Sequence, residues 1–358
     1  MNDLQLLLDE LRADAETGDR PSLPTAPHGR QAVDQWLADV ARIRAIHDDA
    51  AIEHRRRVDA ACERLFGTTV DRLLPAPDEL TRSEVQVPLA PDRRLSDLVP
   101  GLPDRVGAAS TSVPGAPRRE HVTVRMTSPP EPTSAVVRLH GGAFWMGGGP
   151  VAGVVDRPLI DHVAATANAA VLDVDYRLAP EHPYPAAMVD SLTVIDAVRD
   201  GSFGPVTGPI ALLGTSSGGN SAVLTARLEA MRGHTVAALG LVVPSVMLSS
   251  GPQSAALNPE VWAVRSELLR AYLGDIRSDD PWVSPGVLDR LEGMPPTFAA
   301  AAEFDEVAAG ADELCAAIRA GGQVATATRY PMTHVVATPE VEARYIRAVG
   351  TFLRERLL

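Results

Sequence analysis

The 358-residue sequence predicts an α/β fold, a mostly parallel sheet flanked by helices. From His121 onward, short β-branched or alanine-rich runs alternate with helix-length segments, and near-continuous apolar strands belong to sheets covered on both faces. The composition, 45% hydrophobic and 22% charged, supplies a large core and excludes disorder as the main state. The length accommodates one α/β core of about 250 residues with an appendage, or two modest domains.

A helical pattern opens at Leu4 and Leu8, and a stronger one runs through Val33, Trp36, Val40, Ile43, Ile46, Ala50 and Val58. Both read as amphipathic helices laid on something larger. The stretch Leu74 to Arg118, rich in proline, glycine and arginine, reads as a wandering connection with one short strand candidate, Ser83 to Leu89. The main strand runs are Ala135 to His140, Ala170 to Asp175, Pro209 to Gly214, Ala237 to Val243, Thr297 to Glu303 and Val324 to Tyr330. Before the fifth lies an insertion, residues 249–290, with a helical stretch from Pro259 to Leu273. It is placed to form a lid over the carboxyl ends of the strands, where open α/β sheets hold ligands. The expected division is residues 1–120, a helical N-terminal extension and cap, and 121–358, the α/β domain with cap insertion 249–290.

Charge and composition exclude several functions. A formal charge of −13, from 46 acidic and 33 basic side chains, repels nucleic acid and anionic membrane surfaces. Every basic residue is arginine, which excludes Schiff-base, pyridoxal-phosphate or P-loop chemistry that depends on a lysine of this chain. No apolar run reaches the ~18 residues of a membrane helix, and Val236 to Leu248 is broken by Pro244. Met1 to Glu16 carries acidic residues where a secretory leader carries basic ones, so the expected location is cytoplasmic. Cys62 and Cys315 are too few for a disulfide framework or zinc site and read as small core residues.

The sharpest motif is Gly214-Thr215-Ser216-Ser217-Gly218-Gly219, which follows the apolar run Ile210 to Leu213 and precedes a helix from Asn220 to Arg232. Glycines on both sides of Ser216 permit a sharp strand-to-helix turn that exposes its hydroxyl at a helix N-terminus, making Ser216 the candidate nucleophile. A second glycine motif, His140-Gly141-Gly142-Ala143-Phe144, ends the strand before it. Its backbone amides at Gly141, Gly142 and Ala143, with that of Ser217, are the candidate donors for an oxyanion. A serine hydroxyl needs a base and a carboxylate to orient that base. Beyond Ser216 the histidines are His234 and His334, and His234 sits at the far end of the helix that Ser216 opens. His334 lies just past the last strand run, at a carboxyl end, and is the candidate base. Asp305 closes the preceding strand and completes the order Ser, Asp, His; Glu303 falls within the strand and Glu306 opens the next helix.

Four segments, His140 to Phe144, Asp175-Tyr176-Arg177-Leu178-Ala179-Pro180-Glu181-His182, Gly214 to Gly219 and Ala302-Glu303-Phe304-Asp305, resemble the bacterial hormone-sensitive-lipase-like esterases of the α/β-hydrolase superfamily. The resemblance covers residues from about 121 to 358 and includes Asp280 to Pro285 and Met294 to Pro296. It implies the α/β-hydrolase fold and a Ser-Asp-His carboxylesterase, without metal or cofactor, acting on a small-molecule ester, with a helical cap from the N-terminal residues and the insertion. Homodimerisation is in keeping with it. By position the triad falls on Ser216, Asp305 and His334.

The sequence departs from that pattern in places. Ala143 stands where the family has a third glycine, Thr215 and Ser217 where Asp and Ala are commonest, and Val335-Val336 where Gly-Phe usually follows the histidine. About 120 residues precede His121, more than a usual cap uses, which leaves room for a large ester or lactone. The same triad also serves an acyltransferase or cyclase if the long N-terminal region keeps water out, and a non-catalytic ligand receptor is the rival from another class. Several other residues read as structure: Arg177 and Glu181 as fasteners of the loop after the second strand run, and His140 as a brace for the glycine turn. Arg55-Arg56-Arg57 reads as a solvated helix face, and Trp145, Met146, Trp262 and Trp282 as core or cap.

Overall fold

The structure, a computed structural model, describes residues 2–13, 21–24, 33–206, 208–249 and 259–358, with the backbone alone for 259–265. Its sheet has eight strands: β1 (Thr81–Pro88), β2 (His121–Ser128), β3 (Ser134–Leu139), β4 (Ala169–Asp175), β5 (Ile210–Thr215), β6 (Ala238–Val242), β7 (Thr297–Ala302) and β8 (Ala325–Tyr330). The spatial order is β1-β2-β4-β3-β5-β6-β7-β8. β2 runs antiparallel to both neighbours, and every other pairing is parallel.

The helices are α1 (Asp3–Ala13), α2 (Val33–Phe66), α3 (Val70–Leu73), α4 (Asp104–Gly107), α5 (Ala152–Val155), α6 (Arg157–Ala167), α7 (Ala186–Arg199), α8 (Ser217–Met231), α9 (Pro259–Leu273), α10 (Ala308–Ala320) and α11 (Pro339–Leu357). Strand alternation sorts the core into two layers. Ala135, Val137 and Leu139 of β3 face α7, α8 and α10, whereas Val136 faces α6 and α11. The one charge that β3 buries, Arg138, is ion-paired with Asp173 and Asp156.

The six expected strands are present, and two more extend the sheet on one side. β1 spans the candidate inside the proline-rich connection, and pairs along its whole length with β2. The sheet therefore reaches back to Thr81, ahead of the boundary expected at residue 121. Covering the outer edge of β2 leaves at the margin a strand whose residues are mostly exposed, a common way to blunt a sheet edge. Of the insertion, residues 250–258 lie outside the described residues, as does the side chain of Trp262.

A third apolar cluster joins Leu4, Leu7 and Leu11 of α1 to Val58, Ala61 and Cys62 of α2, and closes on Val336 of the loop after β8. The expected buried face of α2 is right at Trp36, Val40, Ile43 and Val58, but Ile46 is exposed. The arginine run is a correction. Only Arg56 is a solvated residue; Arg57 donates to Leu11 O at 2.8 Å, and Arg55 is enclosed by Glu342 at 2.7 Å and Asp59 at 2.9 Å. A periodicity reading cannot see Glu342, which arrives from the last helix.

The loop between β4 and α7 is fastened as expected. Arg177 donates its backbone N–H (2.7 Å) and its guanidinium Nε (2.9 Å) to the fully buried Asp190, and Glu181 pairs with Arg44 at 2.6 Å. His182 of this loop lies 2.8 Å from Ser112 Oγ and 3.2 Å from Thr111 O. Burial, with the Arg177 guanidinium nearby, pushes its pKa down to about 4 from 6.5. The fold thus holds a neutral imidazole that the unfolded chain protonates more readily, so this stabilisation is full above pH 6.5 and is lost as pH falls towards 4. Between pH 7 and 4.5, urea unfolding is expected to show wild type losing more stability than His182→Gln, by on the order of 2 kcal/mol.

Candidate active site

The carboxyl ends of β3, β5, β7 and β8 converge on Ser216. The chain leaves β5 at Thr215 and begins α8 at Ser217, so Ser216 makes the turn alone, with φ 54° and ψ −119°. A non-glycine residue held there costs on the order of 1–3 kcal/mol and persists because its surroundings fix it. Ser216 N–H donates to Val242 O at 2.9 Å, and Ser216 O accepts from Gly219 N at 2.9 Å and Ser245 N at 3.0 Å. The flanking glycines are steric necessities. A Cβ on Gly214 would stand 2.4 Å from Gly218 O, and one on Gly218 would stand 2.1 Å from Leu139 O.

Ser216 Oγ lies 2.8 Å from His334 Nε2, and His334 Nδ1 lies 2.6 Å from Asp305 Oδ2. The other carboxylate oxygen of Asp305 accepts from Val307 N at 3.2 Å, so both oxygens are held. Asp305 is 6% exposed and His334 34%, which leaves the imidazole edge towards the cavity. Glu303, expected within the strand, is the first residue past the end of β7, its N–H bonded to Tyr330 O at 2.8 Å, and His234 sits with Arg199 and Glu229 away from the site. The loop after His334 is closed by Thr333 N–H donating to Val336 O at 3.0 Å. Val336 is buried and Val335 points outward, 66% exposed.

The glycine turn is strained over consecutive residues: Gly142 has φ 124°, Ala143 φ 50° and Phe144 φ 70°. Ala143 therefore adopts a left-handed backbone in place of a third glycine. Gly141 lies beside Ser216, since a Cβ on it would be 3.3 Å from Ser216 Cβ. Among the described residues the N–H groups of Gly142 and Ala143 have no acceptor, and Ser217 N–H opens α8 without an intrahelical partner. His140 braces the turn: it stacks on Tyr176 with centroids 4.2 Å apart, and its Nδ1 is 2.7 Å from Gly141 O. Burial lowers its pKa, so it stays neutral.

A cavity of about 570 Å³ opens in front of Ser216 and His334, with Ala51, His54, Arg55 and Val58 of α2 forming one wall. The part played by α2 is what sequence reasoning missed. Arg44, His47 and Asp48 lie on one helix face and reach the glycine turn: Asp48 accepts from Gly147 N, and Arg44 donates to Trp145 O. The available signal was a line of polar residues, 44, 47, 48, 54 and 55, at helical spacing beside the apolar stripe.

Strand order, the turn at Ser216 and the row of three side chains define the class, a protein of α/β-hydrolase fold. The chain belongs to the alpha/beta hydrolase fold family, whose model matches residues 136–338, in its hormone-sensitive-lipase-like branch. It is 31% identical over 250 residues to esterase LipI of Mycobacterium tuberculosis, covering 67% of this chain and 73% of that protein. It is 33% identical over 202 residues to carboxylesterase NlhH of the same organism, covering 51% and 61%. An esterase of Acinetobacter venetianus is 36% identical over 173 residues, covering 46% and 55%, so these last two are matched over less than two thirds of their length. Among solved structures, a hyperthermophilic esterase of the archaeon Pyrobaculum calidifontis aligns with a TM-score of 0.64 at 23% identity, covering 91% of this chain and 96% of that one. Esterase LipW of Mycobacterium marinum gives 0.64 at 22%, covering 89% and 90%.

Gly218→Ala is expected to destabilise the protein by about 2 kcal/mol or more, because the methyl meets backbone oxygens at Leu139 and His140 that cannot swing aside. Differential scanning calorimetry beside wild type checks it.

Proposed function

We propose that this protein is a serine carboxylesterase that hydrolyses a small carboxylic ester or lactone through an acyl-serine, with Ser216 as nucleophile, His334 as base and Asp305 as the group that orients it. The observation that carries this reading is the unbroken row from Ser216 Oγ to His334 to Asp305 beside amides at Gly142 and Ala143 that have no acceptor among the described residues. The names of the relatives, esterases and carboxylesterases, support the same reaction class.

In this reading His334 Nε2 takes the proton as Ser216 Oγ adds to the ester carbonyl, and Asp305 steadies the imidazolium. The amides of Gly141, Gly142, Ala143 and Ser217 receive the oxyanion, aided by the positive end of α8. Collapse expels the alcohol with the proton returned by His334. Water, deprotonated by the same base, then adds to the acyl-serine and releases the acid. Helices α1 and α2 within residues 1–120, with the 249–290 insertion, act as the cap over the 121–358 domain, β1 excepted. The partner is a small ester and the location the cytoplasm, in keeping with two buried free cysteines; among the described residues no helix is long and apolar enough to cross a membrane. Two copies associate as a homodimer in this reading, which a sedimentation experiment checks.

A fluorophosphonate is expected to label Ser216, and Ser216→Ala to lower kcat on a short p-nitrophenyl ester by roughly 10³- to 10⁶-fold. An alanine variant as active as its parent would end the assignment. Product analysis with added alcohols and amines separates hydrolysis from acyl transfer.

A further inference from the structure

The glycine turn is bent through three consecutive positive φ values, and such a conformation holds only when its surroundings over-determine it. Part of that restraint is internal. Gly142 O accepts from Trp145 N and Met146 N, both at 3.0 Å, which rolls residues 142–146 into one tight turn ending at Gly147. Gly147 then folds back against the start of the turn, so closely that a Cβ on it would stand 2.4 Å from Gly141 O. From the sheet side Asp175 holds Gly149 N at 3.0 Å.

Ala179 N–H also donates to Phe144 O at 3.0 Å, and further restraint comes from helix α2, about a hundred residues away in the chain. Asp48 Oδ1 accepts from Gly147 N–H at 2.8 Å. One turn earlier, Arg44 Nε donates to Trp145 O at 2.6 Å and Arg44 Nη2 to Ala179 O at 2.9 Å, while Glu181 holds the same guanidinium at 2.6–2.8 Å. His47, between them on that face, sets its ring edge-on to Trp145 with centroids 4.8 Å apart. The bonds from Asp48 to Gly147 N and from Arg44 to Trp145 O end on backbone atoms of the turn itself, and Gly147 is in contact with the carbonyl of Gly141.

Resting on the esterase reading, we propose that Asp48 and Arg44 of helix α2 are positioning residues for the oxyanion hole. The N-terminal helix then does more than cover the cavity, because the turn that receives the oxyanion is set at its catalytic geometry only with α2 seated on it. Burial raises the Asp48 pKa, a desolvation accepted where its carboxylate holds a backbone amide. Since an oxyanion donor acts only in the transition state, displacing it lowers kcat and leaves ground-state binding of the ester largely intact.

The test uses full-length protein, a short p-nitrophenyl ester and a trifluoromethyl ketone, which adds to the catalytic serine and places an oxyanion in the hole. Asp48→Ala is expected to lower kcat roughly 10- to 100-fold, as misplacement of a reacting group by about 1 Å does, with KM changed less than about threefold. The ketone's inhibition constant should rise by the same factor as kcat/KM falls. Asp48→Asn keeps an acceptor for Gly147 N–H and should recover most of the rate, while Arg44→Met should behave as Asp48→Ala does. The inference is overturned if Asp48→Ala keeps wild-type kcat, if KM rises while the ketone binds as before, or if Asn fails to rescue an alanine variant that is folded by circular dichroism. A wild-type protein without Ser216-dependent ester hydrolysis would instead remove the esterase reading, and the inference with it.

Discussion

The active site depends on one backbone constraint: the chain must pass from β5 into α8 through a single residue. That turn points Ser216 Oγ away from the sheet and puts it at the positive end of a fifteen-residue helix. It succeeds only because nothing larger than hydrogen stands at residues 214 and 218, where α8 packs against the carbonyls of Leu139 and His140. The same close approach brings β3 and its glycine turn beside Ser216. Ser216 and the glycine turn are therefore placed by one packing event, the seating of α8 on the ends of β3 and β5.

A parallel sheet extends that logic to the other two groups. β3, β5, β7 and β8 run the same way, so the loops leaving them emerge at one edge. Asp305 and His334 come from adjacent loops, and Phe304 N–H bonded to Met332 O at 3.1 Å ties those loops together just before both residues. Register between β7 and β8, with Ala302 opposite Tyr330, thus sets the distance from carboxylate to imidazole. A slip of one residue would turn every side chain on the strand to the other face.

The features legible in the sequence were those where chemistry forbids alternatives. Only glycine clears the contacts at Gly214, Gly218 and Gly142, and the order of Ser216, Asp305 and His334 follows from strands counted by their apolar runs. The edge of the sheet was read only in part: β1 is the alternating candidate at Ser83 to Leu89, though it buries little beyond Val87, whereas β2, His121–Ser128, is in none of the expected runs. Arg55 looked solvated because its partner Glu342 lies 287 residues away. Arg44 and Asp48 show in the sequence only as polar positions at helical spacing for a related reason: what they hold on the glycine turn are main-chain atoms, which have no identity in a sequence.

The departure at Val335-Val336 follows from the length of the N-terminal region. Helix α1, eleven residues long, is too short to be stable alone in water. It is ordered by burying Leu4, Leu7 and Leu11 against α2, each worth roughly 1.5–3 kcal/mol before the loss of chain entropy. The apolar residue that completes this small core from the rest of the molecule is Val336, two positions beyond His334. Helix α2 therefore bears on both halves of the site, on the glycine turn through Arg44 and Asp48 and on the histidine loop through Val58 and its neighbours. An aliphatic side chain at 336 fits that role because it must pack into the underside of a helix pair. Helices α1 and α2 are thus fastened to the glycine turn and the His334 loop at two points.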